Sequence, residues 1–482
     1  MIVKPVIAKD PWYQVTSDNF IITGDAEPAI MKGLVEDLET FREFLQLVTN
    51  VKDTTQDQPF RIFVFKNARS YQKEVKVPGS AGVFRGRLNG SAAFLDGDTD
   101  REAWELAGKN VLFHEYVHHF LRHFSPLHYP RWYSEGFAEF LATFEVADGR
   151  MIVGKPPMWR MFAVRGDDWI PMDRLLDSNV QYQSSRDGLS IFYGQSWLLV
   201  HYTQLDDDLK PKMAEYLSLV NLGVENEEAL QRAFGKTPKQ LMNDLRQYWK
   251  SQRMQHLIYN IPDDYKTPEV DLRALSDEET RFYKAYIYSY KAGSKSGFRR
   301  FEKEINRLLK KYPDYLPAHL LMAELTLIYS DGSDVAGLLE PVIDAEPENI
   351  AAQAILGAAL INLASHSDDP GQMESLITQG RTILNTVLNT DSDNFLANYF
   401  YGLSYIYLNP DQSSAGIEML EFAQTIHPEF PLIQLMAARA MIVAGQNQAA
   451  TAYLLDIVTW ALSSSLRETA EELLESIGSS LD

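Results

Sequence analysis

The chain has 482 residues, too many for one ordinary domain and enough for two or three that each bury a core. Its 45% hydrophobic content is that of a soluble globular protein, and 66 acidic residues against 45 Lys plus Arg leave a net charge of −21, which argues against nucleic acid or an anionic membrane as partner. With no cysteine there is no disulfide framework, thiolate metal site or cysteine nucleophile, and no apolar run approaches the ~20 residues of a membrane span.

The N-terminus, Met1-Ile2-Val3-Lys4-Pro5, lacks the apolar core of a signal peptide, which leaves open either the cytoplasm or an exported chain numbered from after a removed signal. Asp18 to Asp25 reads as a short strand ending at a turn. From Glu27 to Val48, the residues Ile30, Leu34, Leu38, Phe41 and Leu45 recur at helical spacing, the pattern of an amphipathic helix laid on a sheet. Arg61 to Lys66 is a second strand, and Gly82 to Leu95 a hairpin turning at Asn89-Gly90.

A largely buried helix is predicted from Arg101 to His123, with Leu106, Val111, Leu112, Phe113, Val117 and Leu121 apolar. Ser125-Pro126 stops it, Tyr129-Pro130 forces an extended turn, and a second helix runs from about Arg131 towards Phe144. His114 and His118 are four residues apart, so their imidazoles leave one face of the first helix and can bind one cation. Glu115 leaves about 100° away, placed to serve as general base on a metal-activated water. Catalytic zinc takes three protein ligands and keeps a fourth position for water, and the short loop between the helices can bring Glu135 opposite the histidines as the third. Glu139, one turn on, faces the same way and suits a carboxylate that orients a ligand imidazole. His119, His123 and His128 are read as bystanders.

HExxH at 114–118 followed by W-x-x-E-G-F-A at 132–138 resembles the gluzincin metallopeptidases, the thermolysin and zinc-aminopeptidase superfamily. It is most similar to the small bacterial peptidase-MA-like proteins that carry TPR repeats. The resemblance implies a zinc peptidase with Zn2+ held by His114, His118 and Glu135 and with Glu115 as base, and it tips the compartment towards export. It covers roughly the first half of the chain in detail. No G-x-M-E-N exopeptidase signature stands upstream, so aminopeptidase specificity does not carry over. Gluzincins use a tyrosine or histidine from a later region to stabilise the oxyanion, which here points to Tyr193 first and His201 second. In zincins the edge strand before the metal helix pairs with the bound peptide, a role open to the 82–95 hairpin alongside that of an ordinary core strand.

Further along, Gly149 to Gly154 suggests a strand, Lys155-Pro156-Pro157 a break, and Ser190 to Tyr202 a helix with a polar start. Glu228 to Lys250 forms two helices around Gly235-Lys236-Thr237-Pro238, and residues 251–275 serve as a connector. Tyr312-Pro313-Asp314 and Glu346-Pro347-Glu348 are 34 residues apart, the TPR period, and the pattern returns at Asp391-Ser392-Asp393 and His427-Pro428-Glu429. Small residues follow each at a constant offset, Ala323, Gly357, Gly402 and Ala438, where paired helices must approach closely. Ser365 to Glu374 breaks the period as an inserted loop, and Asn398-Tyr399-Phe400-Tyr401 is either core or the lining of a binding groove.

The expected architecture is therefore an α+β zincin-like catalytic domain over 1–250, a connector over 251–275, and an all-α TPR-like superhelical domain over 276–482. The expected function is zinc-dependent hydrolysis of peptide bonds in a protein or peptide substrate, with the repeats offering a groove to substrate or partner. Two alternatives stay open: a TPR scaffold whose zincin half is an inactive relic, and metal-dependent hydrolysis of something other than a peptide.

Overall fold

The computed structural model describes residues 11–52, 59–77, 80–87, 90–98, 108–125, 127–166, 168–177, 186–251, 254–262, 265–330, 332–408, 413–428, 430–460 and 464–478. They fall into two compact units. One holds the described residues up to 84 and then 92–274; the other holds those from 275 onward with 85–87, 90 and 91.

In the first unit, strands β1 (Tyr13–Thr16) and β2 (Phe20–Gly24) lead into helix α1 (Pro28–Thr49), then β3 (Phe60–Phe65), α2 (Ala68–Val75), β4 (Gly82–Arg87) and β5 (Gly90–Asp96). The chain goes on through α3 (Gly108–Phe124), α4 (Arg131–Leu141), β6 (Glu145–Ala147), β7 (Arg150–Val153), α5 (Met158–Met161) and α6 (Met172–Leu176). Helices α7 (Arg186–Gln204), α8 (Lys210–Asn221), α9 (Asn226–Phe234) and α10 (Pro238–Ser251) follow, with β8 (Leu257–Asn260) and β9 (Asp271–Ala274) at the end.

Six strands join in the order β4-β5-β3-β2-β1-β9, with β2–β3 and β3–β5 parallel and β1 antiparallel to both β2 and β9. A second sheet runs β6-β7-β8. The stretch expected as a connector thus supplies a strand to each sheet, Leu257–Asn260 pairing with Arg150–Val153 and Asp271–Ala274 with Tyr13–Thr16. Strand β4 is an outer strand of its sheet; of the expected turn Asn89-Gly90, Gly90 opens β5, while Asn89, like the predicted helix start at Arg101, lies outside the described residues.

Helix α1 begins at a proline in its first turn, where the missing N–H costs nothing, and ends at Asn50 in the left-handed conformation. It buries Leu34, Leu38, Phe41 and Leu45, as the spacing predicts, together with Met31, Val35 and Phe44. Phe41 stacks on Phe113 of α3 at 4.4 Å between ring centroids and meets Phe144 at 5.0 Å. Because Phe113 adjoins His114 in sequence, this aromatic contact fixes the rotation of α3 and hence the direction in which its histidines point.

The second unit is a succession of helices: α11 (Asp277–Ser289), α12 (Lys295–Lys311), α13 (Leu316–Tyr329), α14 (Val335–Ala345), α15 (Ile350–Ser365), α16 (Pro370–Thr390), α17 (Phe395–Leu408), α18 (Ser413–Ile426), α19 (Pro431–Val443), α20 (Asn447–Trp460) and α21 (Ser464–Ser476). Consecutive helices pack on each other, and each odd-numbered helix also packs on the next odd-numbered one. Such nearest-neighbour stacking of helix hairpins is the arrangement of a TPR-like repeat. The proline-bearing motifs stand just before α13, α15 and α19, and Asp391-Ser392-Asp393 just before α17.

At two of the small-residue positions the helices are in near-backbone contact. A Cβ built on Gly357 would stand 2.7 Å from Leu384 and 3.2 Å from the Gly380 carbonyl; one on Gly402 would stand 2.8 Å from Leu420 and 3.0 Å from the Gly416 carbonyl. One expectation is corrected. The insertion after Ser365 is mostly helix: Asp369 caps α16 by accepting from the Gly371 and Gln372 amides, and Pro370 opens it, so the extra residues lengthen the helix. Of the two readings open for 398–401, the core one holds for Asn398, Tyr399 and Phe400, which are buried, while Tyr401 is half-buried.

No described helix is long and apolar enough to cross a membrane.

Candidate metal centre

Helices α3 and α4 pack against each other, and α4 packs along α7. Pro130 ends the linking loop and caps α4, its carbonyl accepting from the amides of Tyr133 and Ser134 at 2.9 Å. The next residue pair explains the local sequence. Glu135 points at α3, while Gly136 faces α7 so closely that a Cβ there would stand 2.4 Å from the Ser196 carbonyl oxygen. Any side chain at that position would push α4 off α7 and carry Glu135 with it.

His114 and His118 present their Nε2 atoms to each other at 3.1 Å. The Oε2 atom of Glu135 completes a triangle, 3.1 Å from His114 Nε2 and 3.3 Å from His118 Nε2. Four-coordinate zinc with ligand bonds of about 2.0–2.1 Å sets its ligand atoms about 3.3 Å apart, so this triangle has the dimensions of three corners of such a tetrahedron. The remaining ring nitrogens face acceptors: His118 Nδ1 meets Ser134 Oγ at 3.1 Å, and His114 Nδ1 faces Glu139 Oε1 at 3.5 Å, an electrostatic contact beyond good hydrogen-bond length. With protons on both Nδ1 atoms, two nitrogen lone pairs and a carboxylate can converge on one point, a donor set that suits a cation. The residues therefore fit a divalent metal.

The electrostatics agree. Burial by itself would push the His114 imidazolium down, but the Glu135 hydrogen bond and the carboxylates of Glu139, Glu135 and Glu115 outweigh it and raise His114 to about 9. Glu135 moves the other way: burial raises it, and the two imidazoles more than offset that, holding it well below the usual carboxylate range. The protein thus keeps an anionic carboxylate beside a position that attracts positive charge.

Glu115 is half-buried, and among the described residues its carboxylate has no hydrogen-bond or ion-pair partner. Tyr193, on α7, brings its ring to 6.2 Å from that of His114. Burial, reinforced by Glu135, raises its phenol above the ordinary value, so the hydroxyl stays protonated and able to donate. Glu139 is 2% exposed and takes Arg160 Nη2 on Oε1 at 2.6 Å and Trp159 Nε1 on Oε2 at 3.4 Å.

His201 is a correction to the sequence reading. It is fully buried, its Nε2 donates to the Gln255 carbonyl at 2.9 Å, and its Nδ1 accepts from the Tyr248 hydroxyl at 2.8 Å. Trp197 packs on the ring at 4.5 Å. Both nitrogens are committed to core hydrogen bonds, leaving none for an oxyanion. His119 also behaves as a packing residue, 4.8 Å from Phe60 and 4.2 Å from His123.

Sequence reasoning missed Ser134, Trp159 and Arg160. Ser134 is signalled only by adjacency to Glu135. Trp159 and Arg160 lie on a four-residue helix with no periodicity to mark them.

No family model and no curated protein matches the sequence. Among solved structures, a thermophilic TPR protein from Thermus thermophilus is similar at 16% identity with a TM-score of 0.34, the match spanning 41% of this chain and 99% of that one.

Proposed function

We propose that the protein is a zinc-dependent metallopeptidase that hydrolyses peptide bonds of a protein or peptide substrate, its helical repeats holding the substrate or a partner protein. The observation that carries this reading is the convergence of His114 Nε2, His118 Nε2 and Glu135 Oε2 within 3.1–3.3 Å of one another, next to the unpartnered Glu115 carboxylate. A zinc ion held by these three residues supplies Lewis acidity to a peptide carbonyl and to a water molecule.

The chain's own groups do the rest. Glu115 takes the proton from the attacking water and delivers it to the leaving nitrogen. The Tyr193 hydroxyl, protonated across the physiological range, donates to the oxyanion that develops on the carbonyl oxygen. Ser134 and Glu139 hold the two imidazoles with Nε2 turned inward. In this reading the repeat unit serves recognition, as stacked helix hairpins commonly do.

The test is elemental analysis of the wild type and Glu135→Ala, with casein cleavage by the wild type and Glu115→Gln. Stoichiometric zinc in the wild type, lost in Glu135→Ala, and cleavage lost in Glu115→Gln without loss of zinc are expected. Wild-type protein, prepared without chelators, that contains no zinc would overturn the reading.

A further inference from the structure

We propose that Arg160 is a positioning residue that ties the orientation of the His114 imidazole to that of the Tyr193 ring. The inference rests on the metal-centre reading above and extends it to a residue outside the HExxH and E-G-F-A elements.

Two contacts converge on the Arg160 guanidinium, and a third holds its backbone. Its Nη2 donates to Glu139 Oε1 at 2.6 Å, the same oxygen that faces His114 Nδ1 at 3.5 Å. Its central carbon lies 4.5 Å over the Tyr193 ring. Its backbone sits against α7, where a Cβ on Gly194 would come within 2.9 Å of the Arg160 carbonyl. One planar group thus touches the carboxylate beside a ligand and the face of the oxyanion donor, and Gly194 is what lets helix α5 come close enough to deliver it.

The chemistry needs such a group. Glu139 is a buried carboxylate whose Oε1 both faces His114 and accepts from Arg160, so the guanidinium sets where that oxygen stands. Trp159 satisfies the second oxygen of Glu139 but carries no charge. With Arg160 in place, Glu139 holds its Oε1 towards His114 Nδ1, which orients the ring with Nε2 turned to the site. An arginine is required rather than any cation. Only a planar guanidinium can lie flat on an aromatic ring while donating in its own plane to a carboxylate.

The test uses the full chain, stripped of metal and reloaded. Zinc affinity is measured by chelator competition, ligand geometry by the visible spectrum of the cobalt(II) form, and the Tyr193 side by titrating that form with acetohydroxamate. Arg160→Gln and Glu139→Gln should each weaken zinc about 10- to 100-fold and shift the cobalt bands, with the double variant no worse than the weaker single one. Arg160→Lys, which keeps the charge and so also covers a misfolded Arg160→Gln, should hold zinc within about threefold. It should bind acetohydroxamate about five- to tenfold more weakly, as Tyr193→Phe should, because lysine cannot hold the ring.

Folded Arg160→Gln with wild-type zinc affinity and cobalt spectrum overturns the inference, as do losses that simply add in the double variant. Unchanged acetohydroxamate affinity in Arg160→Lys overturns the link to Tyr193. Wild-type protein that takes up no zinc overturns the metal-centre reading itself, and that outcome is distinct from a wild type that binds zinc while Arg160→Gln equals it.

Discussion

His201 gives a prediction whose size follows from its surroundings. The neutral imidazole satisfies both neighbours, donating to the Gln255 carbonyl and accepting from Tyr248, and no water reaches it. Burial pushes it down from 6.5 to about 4. Because the folded value is the lower one, the unfolded chain takes up the proton first as the pH falls. The contribution to stability is therefore complete above about pH 6.5 and is lost progressively between there and about pH 4. At ~1.4 kcal/mol per unit the whole shift corresponds to about 3 kcal/mol, of which about 2 kcal/mol is gone by about pH 5. Glutamine at this position can keep both hydrogen bonds and does not titrate. Pulse proteolysis in urea, read from fragments of the first unit, should show the wild type losing about 2 kcal/mol more than His201→Gln between about pH 7 and pH 5. Metal-free protein serves best, and His114, raised to about 9, cancels because the wild type and His201→Gln share it. Parallel pH profiles would refute the argument. So would loss of zinc in His201→Gln, because the residue would then belong to the site after all.

Two further substitutions probe close approaches of backbone. Gly136→Ala puts a methyl group 2.4 Å from the Ser196 carbonyl, so α4 must retreat from α7 and take Glu135 with it; zinc affinity should fall at least about tenfold, and affinity equal to wild type would show that the helix pair gives way elsewhere. Gly402→Val should cost the second unit about 1–3 kcal/mol, because the new side chain meets Leu420 and the Gly416 carbonyl; a lowered melting temperature with zinc content intact is expected, and an unchanged one would remove the packing argument.

The contrast between what the residues announced and what they hid follows from range. Leu34, Leu38, Phe41 and Leu45 mark α1 because a helix writes its buried face into a 3.6-residue rhythm that any window can read. The 34-residue offset between Leu316 and Ile350, the first residues of α13 and α15, is legible for the same reason at a longer period. Strand β9 is the opposite case. All four of its residues are exposed, so it has no apolar alternation, and its partner β1 lies some 250 residues away; only the folded sheet reveals it. Asp369-Pro370 did carry a local signal, a cap followed by a first-turn proline, which the broken repeat period obscured. Tyr193 and His201 share helix α7, eight residues apart, yet one meets His114 and the other meets Tyr248 and Trp197. Helical phase alone separates them by about 80°, and nothing in sequence says which direction holds the site.

The candidate centre is built so that its donors are in place before any ligand arrives. Phe113 is stacked on Phe41 beneath α3, Gly136 fixes the spacing of α4 from α7, and one continuous apolar core joins these helices to the large sheet. In small metal-organised domains the ion supplies the folding energy and the apo chain is disordered. Here that role is taken by the core: Phe41, Phe113, Phe120 and Trp132 are each buried, worth roughly 1.5–3 kcal/mol apiece for the apolar ones, and none of them depends on a cation. What an ion would take up is local, two imidazole nitrogens and a carboxylate oxygen set about 3 Å apart. Under the proposed reading, a site held open in this way would keep its geometry while a water and a peptide carbonyl took turns beside a bound metal, which hydrolysis demands and structural metal binding does not.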